Sequence, residues 1–198
     1  MNPGSNHGRR LKARQTRQRE ILLAASEAFA ALGYDLANMQ LIAEAAGVTK
    51  ATLYAHFGNK AELFRAVIEH CLEELPEPAL AAPVAGDLRT QLNQVAQALL
   101  RQAGHPASLT LTRMLARSNW VPPKRWRQRH RPYRSYLEKA LSQCTRCNDP
   151  AQAATQFLLL TAGNLDPASA MQADQSRVAA AVELFVQAYA EREPADCA

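Results

Sequence analysis

The fold of this 198-residue chain is decided by one stretch, Gly47-Val48-Thr49-Lys50-Ala51-Thr52-Leu53-Tyr54-Ala55-His56-Phe57-Gly58-Asn59-Lys60. Gly47 suits a sharp turn, and Thr49 can cap the first turn of a short helix. Leu53 and Phe57 lie four residues apart, so they share the buried side of that helix. The stretch therefore predicts a turn followed by an amphipathic helix that carries hydrogen-bond donors on its surface.

A second helix precedes this stretch. Asn38 is its N-cap, and its apolar residues recur at helical spacing: Met39, Ile42, Ala43 and Ala46. Two helices joined by a tight turn that contains glycine form a helix-turn-helix, which here spans about residues 38–57. Because the second helix of such a motif enters the major groove, the pattern predicts a surface that reads DNA.

The first residues of the second helix are predicted to reach the bases. Lys50 can donate to guanine acceptors, and Thr49 and Thr52 can bond bases or phosphates. The small side chain of Ala51 permits close approach or contact with a thymine methyl group.

Phosphate contacts are predicted beside them. Tyr54 and His56 flank the buried pair, so their polar ends point outward, although Tyr54 could instead cover the core and His56 could cap locally. Lys60 lies in the first turn of the following helix, where free N–H groups already favour an anion, and it is predicted to clamp a phosphate. Asn38 is also placed among the DNA-binding residues.

Basic charge is concentrated at the N-terminus. The chain has 23 Lys and Arg and 18 Asp and Glu, and residues 1–20 hold six of the basic side chains and one of the acidic ones. We interpret residues 1–14 as a basic flexible arm, with Arg14 and Arg17 binding DNA through counterion release. A solvated tail without a partner is the alternative.

The remaining pattern predicts an all-α protein of about nine helices. The first helix runs from the basic arm to Gly33, and Asn59 with Glu62 opens the fourth, which ends at Leu75-Pro76. A Pro- and Ala-rich linker follows at 76–86. The later helices are expected at about 87–102, 106–119, 122–144, 150–164 and 173–191.

Several function classes are disfavoured. The sequence lacks G-x-S-x-G, Walker, H-E-x-x-H and dinucleotide fingerprints, so we expect no enzyme, no cofactor and no metal. No apolar stretch reaches the ~18 residues of a membrane span, and no signal peptide is evident, so a cytoplasmic, nucleoid-associated protein without membrane contact is expected. Cys144 and Cys147 form a lone C-x-x-C, which is either incidental or redox-active.

Residues 15–75 resemble the DNA-binding domain of TetR/AcrR-family transcriptional regulators. The resemblance rests on I-L-L-A-A at 21–25, Phe29, Gly33-Tyr34, Ile42-Ala43, A-A-G-V-T-K-A-T-L-Y at 45–54, His56-Phe57, Lys60 and Glu62-Leu63-Phe64, and more weakly on D-P-A-Q-A-A-T-Q-F-L at 149–158. Ala37 and Asn38 stand where many members carry Thr or Ser, and Ala55 stands where an aromatic residue is frequent.

The resemblance implies an N-terminal three-helix DNA-binding domain and, at 87–198, a larger helical domain that binds an effector and dimerises. It further implies a homodimer on a palindromic operator in double-stranded DNA, most often a repressor that a small molecule releases. The residues expected to line the effector pocket are Leu99, Met114, Trp120, Trp126 and Phe157. The alternative is that these side chains only pack the core. The family usually dimerises through its last two helices, and the last two helices here have surplus apolar surface. The residues expected at this dimer interface are Phe157, Val182, Phe185 and Tyr189.

Two other readings stay open. A redox-responsive regulator would use Cys144 and Cys147 in place of a bound effector. A helical interaction protein would have lost DNA binding, although the intact donors between residues 49 and 60 disfavour it.

Overall fold

The computed structural model describes residues 4–78, 80, 87–120, 124–162 and 175–190, and all regular secondary structure within these ranges is α-helical. The helices are α1 (Gly4–Leu36), α2 (Met39–Ala45), α3 (Lys50–Phe57), α4 (Lys60–Glu74), α5 (Leu88–Ala103), α6 (Pro106–Ala116), α7 (Lys124–Gln128), α8 (Arg131–Leu141), α9 (Pro150–Ala162) and α10 (Gln175–Tyr189). The prediction of an all-α protein is confirmed.

These residues form two compact units. Residues up to Glu74, together with 110–120, form the first, and the remaining described residues form the second. The predicted DNA-binding domain at 15–75 therefore lacked a part: the last two turns of α6 and the segment after it belong with the first unit. The sequence signals that set the predicted boundary were local, whereas the assignment of α6 depends on tertiary packing.

The first unit is built around the packing of α1 on α4. Ile21 and Phe29 of α1 and Leu63, Phe64 and Val67 of α4 are all 0% exposed. The rings of Phe29 and Phe64 meet edge to face with centroids 4.9 Å apart, a favourable geometry for two aromatic quadrupoles. The predicted apolar stripe of α4 is thus its buried face.

Helix α1 differs from the prediction at its N-terminal end, whereas the predicted break at Gly33 is present. The expected flexible arm at 1–14 is helical from Gly4, because residues 9–20 contain neither Gly nor Pro and extend a helix that is already nucleated. At the other end, Gly33 has φ 76° and ψ 175°, so the helical path breaks where the sequence placed the helix end. A Cβ on Gly33 would lie 2.9 Å from the carbonyl oxygen of Arg117.

The second unit has its own core. Leu92, Val95, Leu137, Phe157 and Val182, contributed by α5, α8, α9 and α10, are all buried within 2% exposure. Two tyrosines of α8 enter this core and satisfy their hydroxyl groups on amide oxygens of α5: Tyr133 donates to Gln102 at 3.0 Å and Tyr136 to Gln94 at 2.6 Å. Burial raises the pKa of both tyrosines.

The single helix predicted over 122–144 was wrong, because the structure has two, α7 and α8. They are separated at Arg129 and His130, and Pro132 lies in the first turn of α8. Proline has no N–H to donate and its ring clashes with the carbonyl four residues earlier, so a helix ends before it and a new one can begin at it. This division accounts for ten helices within the described ranges, where about nine were expected for the chain.

Candidate nucleic-acid interface

The turn between α2 and α3 is held by backbone hydrogen bonds. The N–H of Val48 donates to the carbonyl of Ala43 at 2.9 Å, and the N–H of Gly47 donates to that of Glu44 at 3.1 Å. Gly47 has φ 62°, and a Cβ there would meet no atom within 4 Å. Glycine is therefore favoured at this position by the left-handed backbone and not by crowding.

Thr49 is the N-cap of α3, as predicted. Its hydroxyl oxygen accepts the N–H of Thr52 at 3.1 Å and lies 2.8 Å from the hydroxyl oxygen of Thr52. Each hydroxyl has one proton, and the mutual bond uses only one of the two. The pair therefore fixes the start of α3 and still retains one proton for a base or a phosphate.

The sides of α3 are those the sequence indicated. Leu53 is 0% and Phe57 8% exposed, whereas Tyr54 is 42% exposed. Lys50 and Ala51 are exposed as well, and the ammonium group of Lys50 bonds no other residue of the described part of the chain. A basic side chain, a small one and a phenol thus share the outer face of α3.

His56 and Asn38 were also predicted to contact DNA, and both side chains are at least partly exposed. His56 is half-buried, and its ring packs at 6.1 Å from that of Phe57. Asn38 uses its amide oxygen as the cap of α2, accepting the N–H groups of Gln40 at 3.0 Å and Leu41 at 2.9 Å. The amide nitrogen of Asn38 remains as a donor on an exposed side chain.

Lys60 is placed differently from the predicted phosphate clamp. Its ammonium group donates to the carbonyl oxygen of Asp35 at 3.0 Å and lies 4.6 Å from the centre of the Tyr34 ring. The reason is local: Asn59 caps α4 and brings its first residue beside the end of α1. In this structure Lys60 joins these two segments within the first unit.

The basic side chains of α1 that the structure describes are exposed and weakly paired. Arg17 contacts Glu20 at 3.0 Å, and Arg19 contacts Glu74 at 3.4 Å. Exposed pairs of this kind contribute about 0–1 kcal/mol, so these arginines can exchange a carboxylate for a phosphate at little cost. Arg14 is exposed and has no ion-pair partner among the described residues.

The sequence did not indicate that Trp120 packs inside the first unit. Its ring lies 5.1 Å from that of Phe64 and 5.9 Å from that of Tyr34, and the guanidinium of Arg65 lies 5.7 Å from its centre. Periodicity gave no signal for this packing, because Trp120 follows the end of α6 and is far from Phe64 in sequence. Two residues expected in the effector pocket, Met114 and Trp120, therefore lie in the first unit.

Two of the other pocket candidates lie in the second unit. Leu99 and Phe157 are 4% and 0% exposed there and form part of its core. The side chain of Trp126 lies outside the described residues. Apolar character alone does not distinguish a pocket lining from a core, so the effector pocket stays a prediction.

Most of the residues predicted at the dimer interface lie in the core of the second unit. Phe157, Val182 and Phe185 are at most 4% exposed and pack inside their own unit, and Tyr189 is half-buried against the ring of Phe185 at 5.4 Å. The surplus apolar surface of the same two helices is carried by three leucines, Leu159 (41% exposed), Leu160 (41%) and Leu184 (54%).

Membrane and metal chemistry find no support in the described ranges. None of the helices described is long and apolar enough for a membrane span. The same residues hold no group of three or more His, Cys, Asp or Glu side chains arranged to bind a metal.

A capped short helix, an apolar side that anchors it and an exposed face of donors define a helix-turn-helix DNA-binding domain. Residues 21–67 match the family model described as bacterial regulatory proteins, tetR family. This stretch is therefore similar to the DNA-binding domain of that family, and the curated relatives named below are transcriptional regulators.

Two curated relatives match the N-terminal part of the chain. The transcriptional activator FasR of Mycolicibacterium smegmatis is 44% identical over 72 residues, which are 36% of this chain and 32% of FasR. The transcriptional repressor AcnR of Corynebacterium jeikeium is 34% identical over 74 residues, 37% of this chain and 39% of AcnR. The chain thus spans about a third of the length of these relatives.

A solved structure extends the similarity in fold. The crystal structure of AibR in complex with isovaleryl coenzyme A and operator DNA has a TM-score of 0.57 and 23% identity, and the alignment covers 85% of this chain and 97% of AibR. At this identity the likeness concerns the fold alone.

Proposed function

We propose that this protein is a sequence-specific DNA-binding regulator of transcription that acts as a repressor and leaves its operator when a small molecule binds. The observation that carries the proposal is the outer face of α3, where Lys50, Ala51 and Tyr54 are exposed while Leu53 and Phe57 anchor the helix. A helix held in this way can enter the major groove without losing its own core contacts.

The donors divide into two tasks. Lys50 and the Thr49–Thr52 hydroxyl pair stand at the N-terminal end of α3, the end that reaches base edges in this motif, and they are assigned to sequence reading. Tyr54, His56 and the amide nitrogen of Asn38 lie further along or beside the helix and are assigned to phosphates, which set the register and orientation on the duplex.

The N-terminal half of α1 adds affinity without sequence reading. Arg14 and Arg17 project from a helix that continues in one piece from Gly4, so their charges are held at fixed spacing and not on a loose tail. Each phosphate that they neutralise releases counterions, and the gain falls as salt rises.

A homodimer is proposed because one recognition helix reads only half of a palindrome. The three exposed leucines on α9 and α10 support an interface on these helices, since exposed leucine side chains on one pair of packed helices gain from burial against a second copy. Leu184→Glu should convert the dimer to a monomer in analytical ultracentrifugation, whereas Leu23→Glu, at a leucine of α1 that is 47% exposed, should not.

An effector is proposed to act through the second unit. Its binding must favour the arrangement that does not bind DNA, and operator DNA must weaken effector binding by the same factor. AibR, which has a similar fold, was crystallised with both isovaleryl coenzyme A and operator DNA. This supports the proposal that the present protein also binds both a small molecule and DNA. A repressor further requires that the operator overlap a promoter, which run-off transcription tests directly.

The experiment that tests the proposal is selection of genomic DNA fragments by the purified protein, followed by sequencing of the retained fragments. We expect a shared palindromic sequence. A Tyr54→Ala variant should retain less DNA at about 0.15 M salt. Leu23→Ala serves as the matched control, because this exposed leucine of α1 is assigned neither to DNA contact nor to the dimer interface. Retention of fragments without any common sequence would contradict sequence-specific regulation.

A further inference from the structure

The turn Cys144-Thr145-Arg146-Cys147, which follows α8, has a cysteine at its first and fourth positions. The N–H of Cys147 donates to the carbonyl oxygen of Cys144 at 3.1 Å, and the N–H of Cys144 donates to that of Leu141 at 3.1 Å. The first of these bonds closes a β-turn, in which the first and fourth Cα atoms lie within about 7 Å. Disulfides join residues whose Cα atoms are about 4.4–6.8 Å apart, so the backbone already has a spacing suited to a bond between the two sulfurs.

One of the two thiols lines an open cleft of the second unit. The cleft has a volume of about 340 Å³, and Cys144 lies in its wall with Asp87, Gln91 and Gln143. Both cysteines are half-buried and present as thiols, and both pack at the edge of the core. A small polar molecule can therefore reach Cys144 from solvent, and amide and carboxylate groups surround the place where it would stand.

The turn also holds the end of α10. The guanidinium of Arg146, between the two cysteines, donates to the carbonyl oxygens of Gln187 at 3.4 Å and Ala190 at 3.2 Å. The carbonyl of Gln187 belongs to the last turn of α10 and that of Ala190 directly follows the helix, so Arg146 supports the end of α10, where carbonyls lack helical N–H partners. A change in the shape of the turn therefore changes the support of the helix that carries the exposed Leu184.

We propose that Cys144 and Cys147 form a reversible disulfide site that reacts with low-molecular-weight disulfides and adjusts the end of α10. This goes beyond the proposed DNA-binding function and does not rest on it. The ligand class is a small polar disulfide, of which oxidised glutathione is the probe used below.

The reaction proceeds by two exchanges. The Cys144 thiolate attacks one sulfur of the small disulfide, whose S–S bond breaks, so that a mixed disulfide forms and one small thiolate leaves. The Cys147 thiolate then attacks the sulfur of Cys144, and the second small thiolate leaves. The protein loses two electrons and two protons, and the small disulfide gains them as two thiols.

The surroundings assign the order of the two cysteines. Cys144 lines the cleft, so an incoming disulfide reaches Cys144 from that side. The pKa of the Cys147 thiol is raised, first by burial, so less of it is thiolate at neutral pH, which suits the second, intramolecular step. Cys71, in α4, is 4% exposed and serves as an internal thiol that should not react.

The test uses the full chain with Cys197→Ser, so that the three remaining cysteines all lie in the described residues. The protein is incubated with oxidised glutathione, quenched with an alkylating reagent and measured by intact mass and peptide mapping. We expect loss of two hydrogen atoms at the pair, alkylation of Cys71 only after unfolding, and full reversal by a dithiol reductant. With Cys147→Ser a stable glutathione adduct should remain on Cys144.

Three results would overturn the proposal. The first is no modification of either cysteine in the folded protein, and the second is a glutathione adduct on Cys144 that persists while Cys147 is present. The third concerns α10: amide hydrogen exchange over residues 187–190 should rise at least severalfold on oxidation, and it should not rise in the Cys144→Ser variant treated alike. Closure of the disulfide with no change in exchange contradicts the coupling to α10.

Discussion

The placement of Lys60 leads to a prediction that separates a structural from a DNA-binding role. In the Lys60→Met variant the stem remains and the charge is lost, together with the hydrogen bond to Asp35 at 3.0 Å and the contact with the Tyr34 ring at 4.6 Å. A charged hydrogen bond contributes about 1.5–3 kcal/mol when well protected, and a surface cation–π contact about 0.5–1 kcal/mol. Because Lys60 is only half-buried, we expect a total loss of about 1–2 kcal/mol.

Urea denaturation followed by circular dichroism measures this loss. The matched control is Lys50→Met, since Lys50 is exposed and bonds no other described residue, and its free energy of unfolding should change by less than about 0.5 kcal/mol. A double-mutant cycle with Tyr34→Leu should give a coupling energy of about 0.5–1 kcal/mol, the part that belongs to the ring contact.

The Lys60→Met variant also tests whether Lys60 contacts a DNA phosphate. A phosphate clamp contributes about 0.9 to the slope of log K against log salt for each contact, so loss of a clamp lowers the slope by that amount per subunit. We expect Lys60→Met to leave the slope unchanged. A slope that falls by about 0.9 per subunit, in a variant with unaltered stability, would refute the structural role and restore Lys60 as a phosphate ligand.

Three further predictions concern the first unit. Gly33→Ala should lower the free energy of unfolding by about 3 kcal/mol, because φ 76°, ψ 175° is almost restricted to glycine and the new Cβ would lie 2.9 Å from the carbonyl oxygen of Arg117. Gly47→Ala is the control: the space around it is open, so in the same urea titration it should cost only about 1–2 kcal/mol. Asn38→Ala should lose about 1 kcal/mol with the cap of α2, while Asn38→Asp, which keeps the acceptor, should lose much less by thermal unfolding. Burial raises the pKa of the Cys71 thiol from 9.0 to about 11, so between these values the thiol ionises in the unfolded state only and the free energy of unfolding falls as pH rises. Between pH 8 and 10 this fall should be about 1 kcal/mol smaller in Cys71→Ala. Identical plots of unfolding free energy against pH for the parent and the variant would contradict this.

The helix starts were the most predictable part of the fold, because a cap depends on residues close in sequence. Asn38, Thr49 and Asn59 each accept a backbone N–H three residues later, as their types and positions indicated. The buried sides of α3 and α4 followed from the spacing of apolar residues for the same reason.

Contacts between distant segments were not predictable from periodicity. The sequence around Lys60 shows a basic residue in the first turn of a helix, but not that Tyr34 and Asp35 lie beside it. Trp120 likewise packs on Phe64, across a separation in sequence that no local pattern spans.

The last two helices show a second limit. Their apolar residues occur on more than one side, and the sequence does not indicate which side faces the core. The bulky Phe157, Val182 and Phe185 were expected at a dimer interface, but they fill the core of their own unit, and Leu184 is left outside. A side chain that packs one unit is unavailable to a second copy.

The central claim is that Lys50 reads sequence, and an affinity profile over single-base variants of the selected operator tests it most directly. The matched control is Lys139→Ala, at an exposed lysine of α8 in the second unit. We expect Lys50→Ala to lose about 1–3 kcal/mol of discrimination at one symmetric pair of positions, while Lys139→Ala keeps the parent profile. Identical profiles for the parent and Lys50→Ala, on a DNA that both bind, would contradict it.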